Sequence, residues 1–186
     1  MPLSKSKHQR ELLHTRDIEV RGFKRDDGLY EVEGFVKDIR TKKYMNQWIE
    51  IPAGEPMHYM QSRLAIDSNY IVKEIEVSSD SHPYPGLCNK VVANFDVLIG
   101  SKIGGGWKKT IKDKLGGIKG CTHIAELLLV PVATTAYLTI YLDNNDIQVT
   151  DSDEEIEPGF IDSCYSLSSS GEVVKKQWSK FFKKVN

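Results

Sequence analysis

The most chemically dense stretch of this chain is Gly120-Cys121-Thr122-His123-Ile124-Ala125-Glu126. Thr122 suits the N-cap of a helix running on through Leu127, Leu128 and Leu129, which sets Cys121 beside the positive end of a helix dipole. Thiols in that setting ionise more readily, and the thiolate is the form that binds metal or attacks sulfur. His123 and Glu126 stand at i and i+3, a spacing used by carboxylate–imidazole metal pairs. Cys88 follows the rigid Pro83-Tyr84-Pro85-Gly86 turn and opens another predicted helix, so it repeats the setting of Cys121. Cys164 lies in Ile161-Asp162-Ser163-Cys164-Tyr165. Brought together, Cys88, Cys121, Cys164 and His123 would make a Cys3His set for zinc or an iron–sulfur cluster. No short C-x-x-C spacing ties them, so only the fold could assemble them. The competing expectation is that all three cysteines are small buried hydrophobes.

A second polar group comprises Arg25, Asp26, Asp27, His58 and Glu126, from which acid–base residues of a cleft could be drawn. His58 begins a strand after the Pro52, Gly54 and Pro56 loop. Other motifs exclude themselves. The run Gly100-Ser101-Lys102-Ile103-Gly104-Gly105-Gly106 lacks the Lys-Ser/Thr that a phosphate loop places after its second glycine. The dinucleotide fingerprint, the G-x-S-x-G elbow and H-E-x-x-H are absent as well.

These residues need elements to position them. Residues 1–16 read as a flexible arm. From residue 17 to about 80 the pattern is strand-like: Ile18 to Phe23 alternates, Asp26-Asp27-Gly28 supplies a hairpin turn, and Tyr30, Val32, Gly34, Val36 and Asp38 share one face of the next strand. Met57–Ile66 and Ile71–Val77 form a second hairpin turning at Asp67-Ser68-Asn69. Helices are expected from Cys88 to Ile99, from Trp107 to Leu115, and from Thr122 to about Leu142 with a kink at Pro131. Strands followed by helices give an α+β fold: one N-terminal antiparallel sheet with helices packed on one face, in a single domain over 17–186. An acidic segment at 143–158 reads as a solvated loop. Val174, Trp178, Phe181 and Val185 fall at helical spacing among five lysines, making a basic amphipathic segment expected to dock on the domain, with a membrane surface or a protein partner as the alternatives.

Composition narrows the classes further. The 186 residues carry a formal net charge of −1, against a nucleic-acid binder, which needs a basic excess. No run approaches 18 consecutive apolar residues, so no transmembrane segment is expected, and the polar start lacks a secretory core. A cytoplasmic protein with free thiols follows from three cysteines, too few and odd in number for a disulfide framework. Oligomeric state stays open.

With Arg25-Asp26-Asp27-Gly28-Leu29, Gly120-Cys121-Thr122-His123 and Asp162-Ser163-Cys164-Tyr165, the chain resembles a bacterial family of uncharacterised domains over residues 15–185. That resemblance implies no activity. More distantly, Leu64-Ala65-Ile66-Asp67 to Cys88, Leu98 to Ile103, and Cys121 to Glu126 resemble segments of iron–sulfur cluster scaffold proteins. This second likeness implies Cys88 and Cys121 as ligands or sulfur acceptors in a scaffold-like fold. The sequence departs from it in having Cys88-Asn89-Lys90-Val91 where the scaffold has Cys-Gly-Ser-Ala, no middle cysteine, and Gly120 in place of histidine. A thiol or metal-site protein is therefore the leading expectation. A small acid–base enzyme and a non-catalytic binding protein are the alternatives.

Overall fold

The computed structural model of the protein describes residues 2–144 and 160–184, which fall into two compact units, Met1–Asp143 and Asn144–Asn186. The expectation for the acidic segment falls almost wholly outside the described residues, as does Val185.

The first unit is α+β, as its strand-then-helix order predicts. Strands β1 (His14–Lys24), β2 (Tyr30–Arg40), β5 (Pro56–Ile66) and β6 (Val72–Ser81) form an antiparallel sheet in the order β1-β2-β5-β6. The short strands β3 (Tyr44–Met45) and β4 (Glu50–Ile51) pair separately in the long β2–β5 connection. β1 begins inside the stretch expected to be a flexible arm, because Thr15 and Arg16 already pair with Ile39 and Asp38. Gly28, at φ 85°, closes the β1–β2 turn in a conformation that a side chain would oppose.

Alternation along β2 and β5 divides the sheet into two faces. Tyr30, Val32, Val36, Met60, Leu64 and Ile66 are buried on the inner face. Helix α1 (Trp107–Leu115) contributes Trp107, Ile111 and Leu115 to the same core. The long helix consists of α2 (Thr122–Leu127), a π-helical turn over Leu128–Val132, and α3 (Ala133–Asn144). Its buried stripe, Ile124, Leu127, Leu128, Val132, Ala136 and Ile140, completes the core. By length and composition the segment Thr122–Asp143 would suffice to cross a bilayer, but here its apolar stripe packs in the core. Gly34, central on β2, makes this contact close: a Cβ there would stand 2.8 Å from Val132 Cγ2.

Two helical expectations are refined. The kink expected at Pro131 is a π turn, since proline brings no N–H to the helix and the wider turn absorbs the loss. The indole N–H of Trp107 donates to the Leu128 carbonyl at 2.9 Å beside it. The segment expected as a helix from Cys88 is instead a 3-10 run, Cys88–Leu98, lying against β6. The glycine run that follows is architectural: Gly100 and Ile103 donate to the Val72 and Tyr70 carbonyls, while Ser101 accepts from Val72 N–H. In the second unit, α4 (Glu172–Gln177) ends at Trp178, and a 3-10 turn, Ser179–Phe181, follows. The amphipathic spacing is thus split between two short elements.

Candidate metal centre

Sheet register assembles the site. Across β1, β2 and β5, Arg16 pairs with Asp38 and Asp38 pairs with His58, so three polar side chains stand in one row. Asp38 ends the stripe Tyr30, Val32, Gly34, Val36 and is 1% exposed. Such a charge survives burial only when paired. A register shift beside Asp38 marks a bulge next to the row, a common device for aiming side chains at sites. The long helix begins above it and brings in His123.

Asp38 is the hub. Arg16 grips its carboxylate with a two-toothed hydrogen bond, Nε to Oδ1 at 2.7 Å and Nη2 to Oδ2 at 2.8 Å. His14 Nε2 lies 3.3 Å from Oδ1. His58 Nδ1 is 3.1 Å and His123 Nε2 3.5 Å from Oδ2. The His58 and His123 rings lie face against face, centroids 3.9 Å apart and tilted by 31°. Five nitrogens thus surround a carboxylate that offers about four lone-pair positions.

Burial holds the site in one charge state. It lowers the His58 imidazole to about 4, with neighbouring His123 pushing the same way. It lowers His123 too, against the opposing pull of Asp38. Burial would raise the Asp38 carboxyl, but the Arg16 hydrogen bonds and charge outweigh it and leave Asp38 low. Near neutral pH the set is one carboxylate and two neutral imidazoles, the form in which all three donate lone pairs to a metal.

The spacing fits an ion. A first-row metal held about 2.0–2.2 Å from nitrogen and oxygen sets those donors roughly 2.9–3.6 Å apart. The two separations from Asp38 Oδ2 fall in that window, and the donor atoms of the three residues lie within 4.8 Å of one another. Around this trio, Arg16 orients the carboxylate and in turn donates from Nη1 to Glu126 Oε2 at 3.3 Å. Outer partners of this sort fix ligand orientation.

The expected site residues are distributed differently from the thiol set. Cys121 is itself the N-cap residue, with Thr122 first in the helix, and its Sγ lies 3.8 Å from His123 Nδ1. Cys88 is half-buried, and burial, joined by nearby Cys121, pushes its thiol up rather than down. Cys164 is exposed in the second unit. Among the described residues, the three-residue donor cluster is Asp38, His58 and His123, so His123 is the one member shared with the expected ligands. Glu126 reaches the site through Arg16. Arg25, Asp26 and Asp27 do not, because the register puts the β1–β2 turn at the far end of β2 from His58. There Arg25 pairs with Asp27 and Glu74.

Sequence reasoning missed Asp38, Arg16 and His14. One signal was legible: an aspartate at the end of a buried apolar alternation.

The chain matches no curated protein and no solved structure. Residues 14–138, about two thirds of the chain, match the family described as "Protein of unknown function (DUF2889)". The matched region holds the whole sheet and every residue of the centre from His14 to Glu126, and it ends before Asp162-Ser163-Cys164-Tyr165. The chain belongs to that family.

Proposed function

We propose that this protein is a metal-dependent enzyme with a mononuclear centre, binding one divalent first-row ion, zinc before others, through Asp38 Oδ2, His58 Nδ1 and His123 Nε2. The observation behind the reading is the convergence of two neutral imidazoles on one buried carboxylate oxygen at ligand spacing. An ion there relieves the crowding of donors around Oδ2. Three protein ligands leave coordination positions open for water and substrate, as in catalytic rather than structural zinc sites. The chemistry such a centre supplies is Lewis-acid activation of water or a carbonyl. Nitrogen and oxygen donors favour a single ion over an iron–sulfur cluster, whose irons are held by cysteine thiolates.

Zinc titration of chelator-treated protein against a chromophoric competitor tests the reading. One equivalent should bind. His58→Ala and His123→Ala should each weaken binding at least 100-fold, while Cys88→Ser and Cys164→Ser leave it unchanged. Binding unaffected by the histidine variants, or no binding at all, refutes the proposal.

A second reading rests on the Cys121–His123 contact at 3.8 Å. With no ion present, Asp38, His123 and Cys121 form an orienter–base–nucleophile series, a thiol arrangement for acyl transfer. The two readings exclude each other at His123 Nε2, which serves either the ion or the hydrogen bond to Asp38. Turnover that persists without metal and stops on alkylating Cys121 would favour the thiol.

A further inference from the structure

We infer that the groove between α1 and the start of the long helix binds an acyl chain with an anionic head group. The groove has a volume of about 280 Å³, just below the usual range of small-molecule sites. Ile111 and Leu115 on α1, with Ala125 and Leu129 on the long helix, give it apolar walls. A chain lying there exchanges water for hydrocarbon, at about 0.8 kcal/mol per buried methylene.

Charge selects the head group. Lys108 and Lys112 stand one turn apart on the rim, both exposed, and neither has an ion-pair partner among the described residues. Their neighbour Lys109 is already held by Asp113. The acidic side chain that lines the groove, Glu126, is engaged by Arg16. Arg16 is already matched by Asp38, so Glu126 keeps its charge; two lysines against one glutamate leave the lining net positive, which favours a carboxylate over a cation of equal length. Glu126 also links groove and centre: it lines the first and receives the hydrogen bond of Arg16, which holds Asp38.

Calorimetry on the full chain tests this with decanoate as the probe, decyltrimethylammonium as the same chain of opposite charge, and butyrate as the same head on a short chain. Decanoate should bind saturably, and the other two at least tenfold more weakly. The surface variant Lys108→Glu/Lys112→Glu, which leaves the core untouched, should lose at least tenfold in decanoate affinity. Ala125→Phe should abolish binding by filling the groove. Equal affinity for the cation, unchanged affinity in the lysine variant, or no decanoate binding overturns the inference. Repeating the titration on His58→Ala separates the proposals: decanoate binding in wild type and variant alike, with zinc bound by neither, sustains the groove and sinks the metal reading. Zinc binding without decanoate binding does the reverse.

Discussion

Replacing Asp38 by asparagine changes one oxygen to an amide nitrogen and keeps the shape, so its effect isolates the carboxylate charge. The variant loses the two-toothed bond from Arg16, at 2.7 and 2.8 Å, and sets an amide donor against a guanidinium donor. Breaking a fully buried ion pair costs about 3–5 kcal/mol because the surviving charge is stranded. Arg16 is not stranded: its side chain is 37% exposed and keeps Glu126 at 3.3 Å. The expected loss is accordingly about 2–3 kcal/mol, which for a chain of this size lowers Tm by roughly 5–10 °C. Added zinc supplies the second readout. At a free concentration 100 times Kd, an ion bound only by the folded state stabilises it by about 2.7 kcal/mol. Wild type should show that gain and Asp38→Asn almost none of it. Thermal and urea denaturation, each with and without zinc, measure both effects. A variant within about 0.5 kcal/mol of wild type would refute the account of Asp38 as a buried paired charge. A zinc-induced rise in Tm retained by the variant would refute its role as a ligand.

Three other outcomes follow from the same structure. Gly34→Ala should cost about 1–3 kcal/mol in urea denaturation, since its new methyl meets Val132 Cγ2 at 2.8 Å in a packed core. Trp107→Phe removes the pyrrole half of a buried indole and takes its N–H from the Leu128 carbonyl at the π turn, so a small cavity and a lost hydrogen bond together should cost about 2–4 kcal/mol, with unchanged far-UV dichroism. In metal-free protein, His58 contributes a pH-dependent stability: with its ordinary value of 6.5 lowered to about 4, the unfolded chain binds the extra proton between those limits. Stability should fall as pH drops from about 6.5 toward 4, by roughly 3 kcal/mol more than in His58→Gln, as denaturation at successive pH values would show.

Local pattern determined much of the architecture. The alternation in β2 and β5, the Asp-Gly turn and the Trp107–Leu115 helix are set by residues within a few positions of one another, and each stands where the sequence places it. The first candidate, His123, was likewise legible, because Cys121, Thr122 and the helix behind them form one contiguous signal. Its partners were not. Arg16 and Asp38 are 22 residues apart, and Asp38 and His58 are 20 apart, so nothing in the local chain announces the pairing. Asp38 was visible as an odd charge on an apolar face, yet its partners depended on which residues the β1–β2 and β2–β5 registers set opposite it. The reverse holds for Arg25, Asp26 and Asp27, whose chemistry suggests a cluster with His58 until the register carries them to the other end of the sheet. Cysteine placement follows the same logic: helix starts are local, but which thiol meets an imidazole depends on how the long helix lies across the strands. Residue type and periodicity decide what each segment becomes, because those preferences act over one or two turns. Only the assembled sheet, with its inner face buried, decides which distant polar groups must share one dry carboxylate.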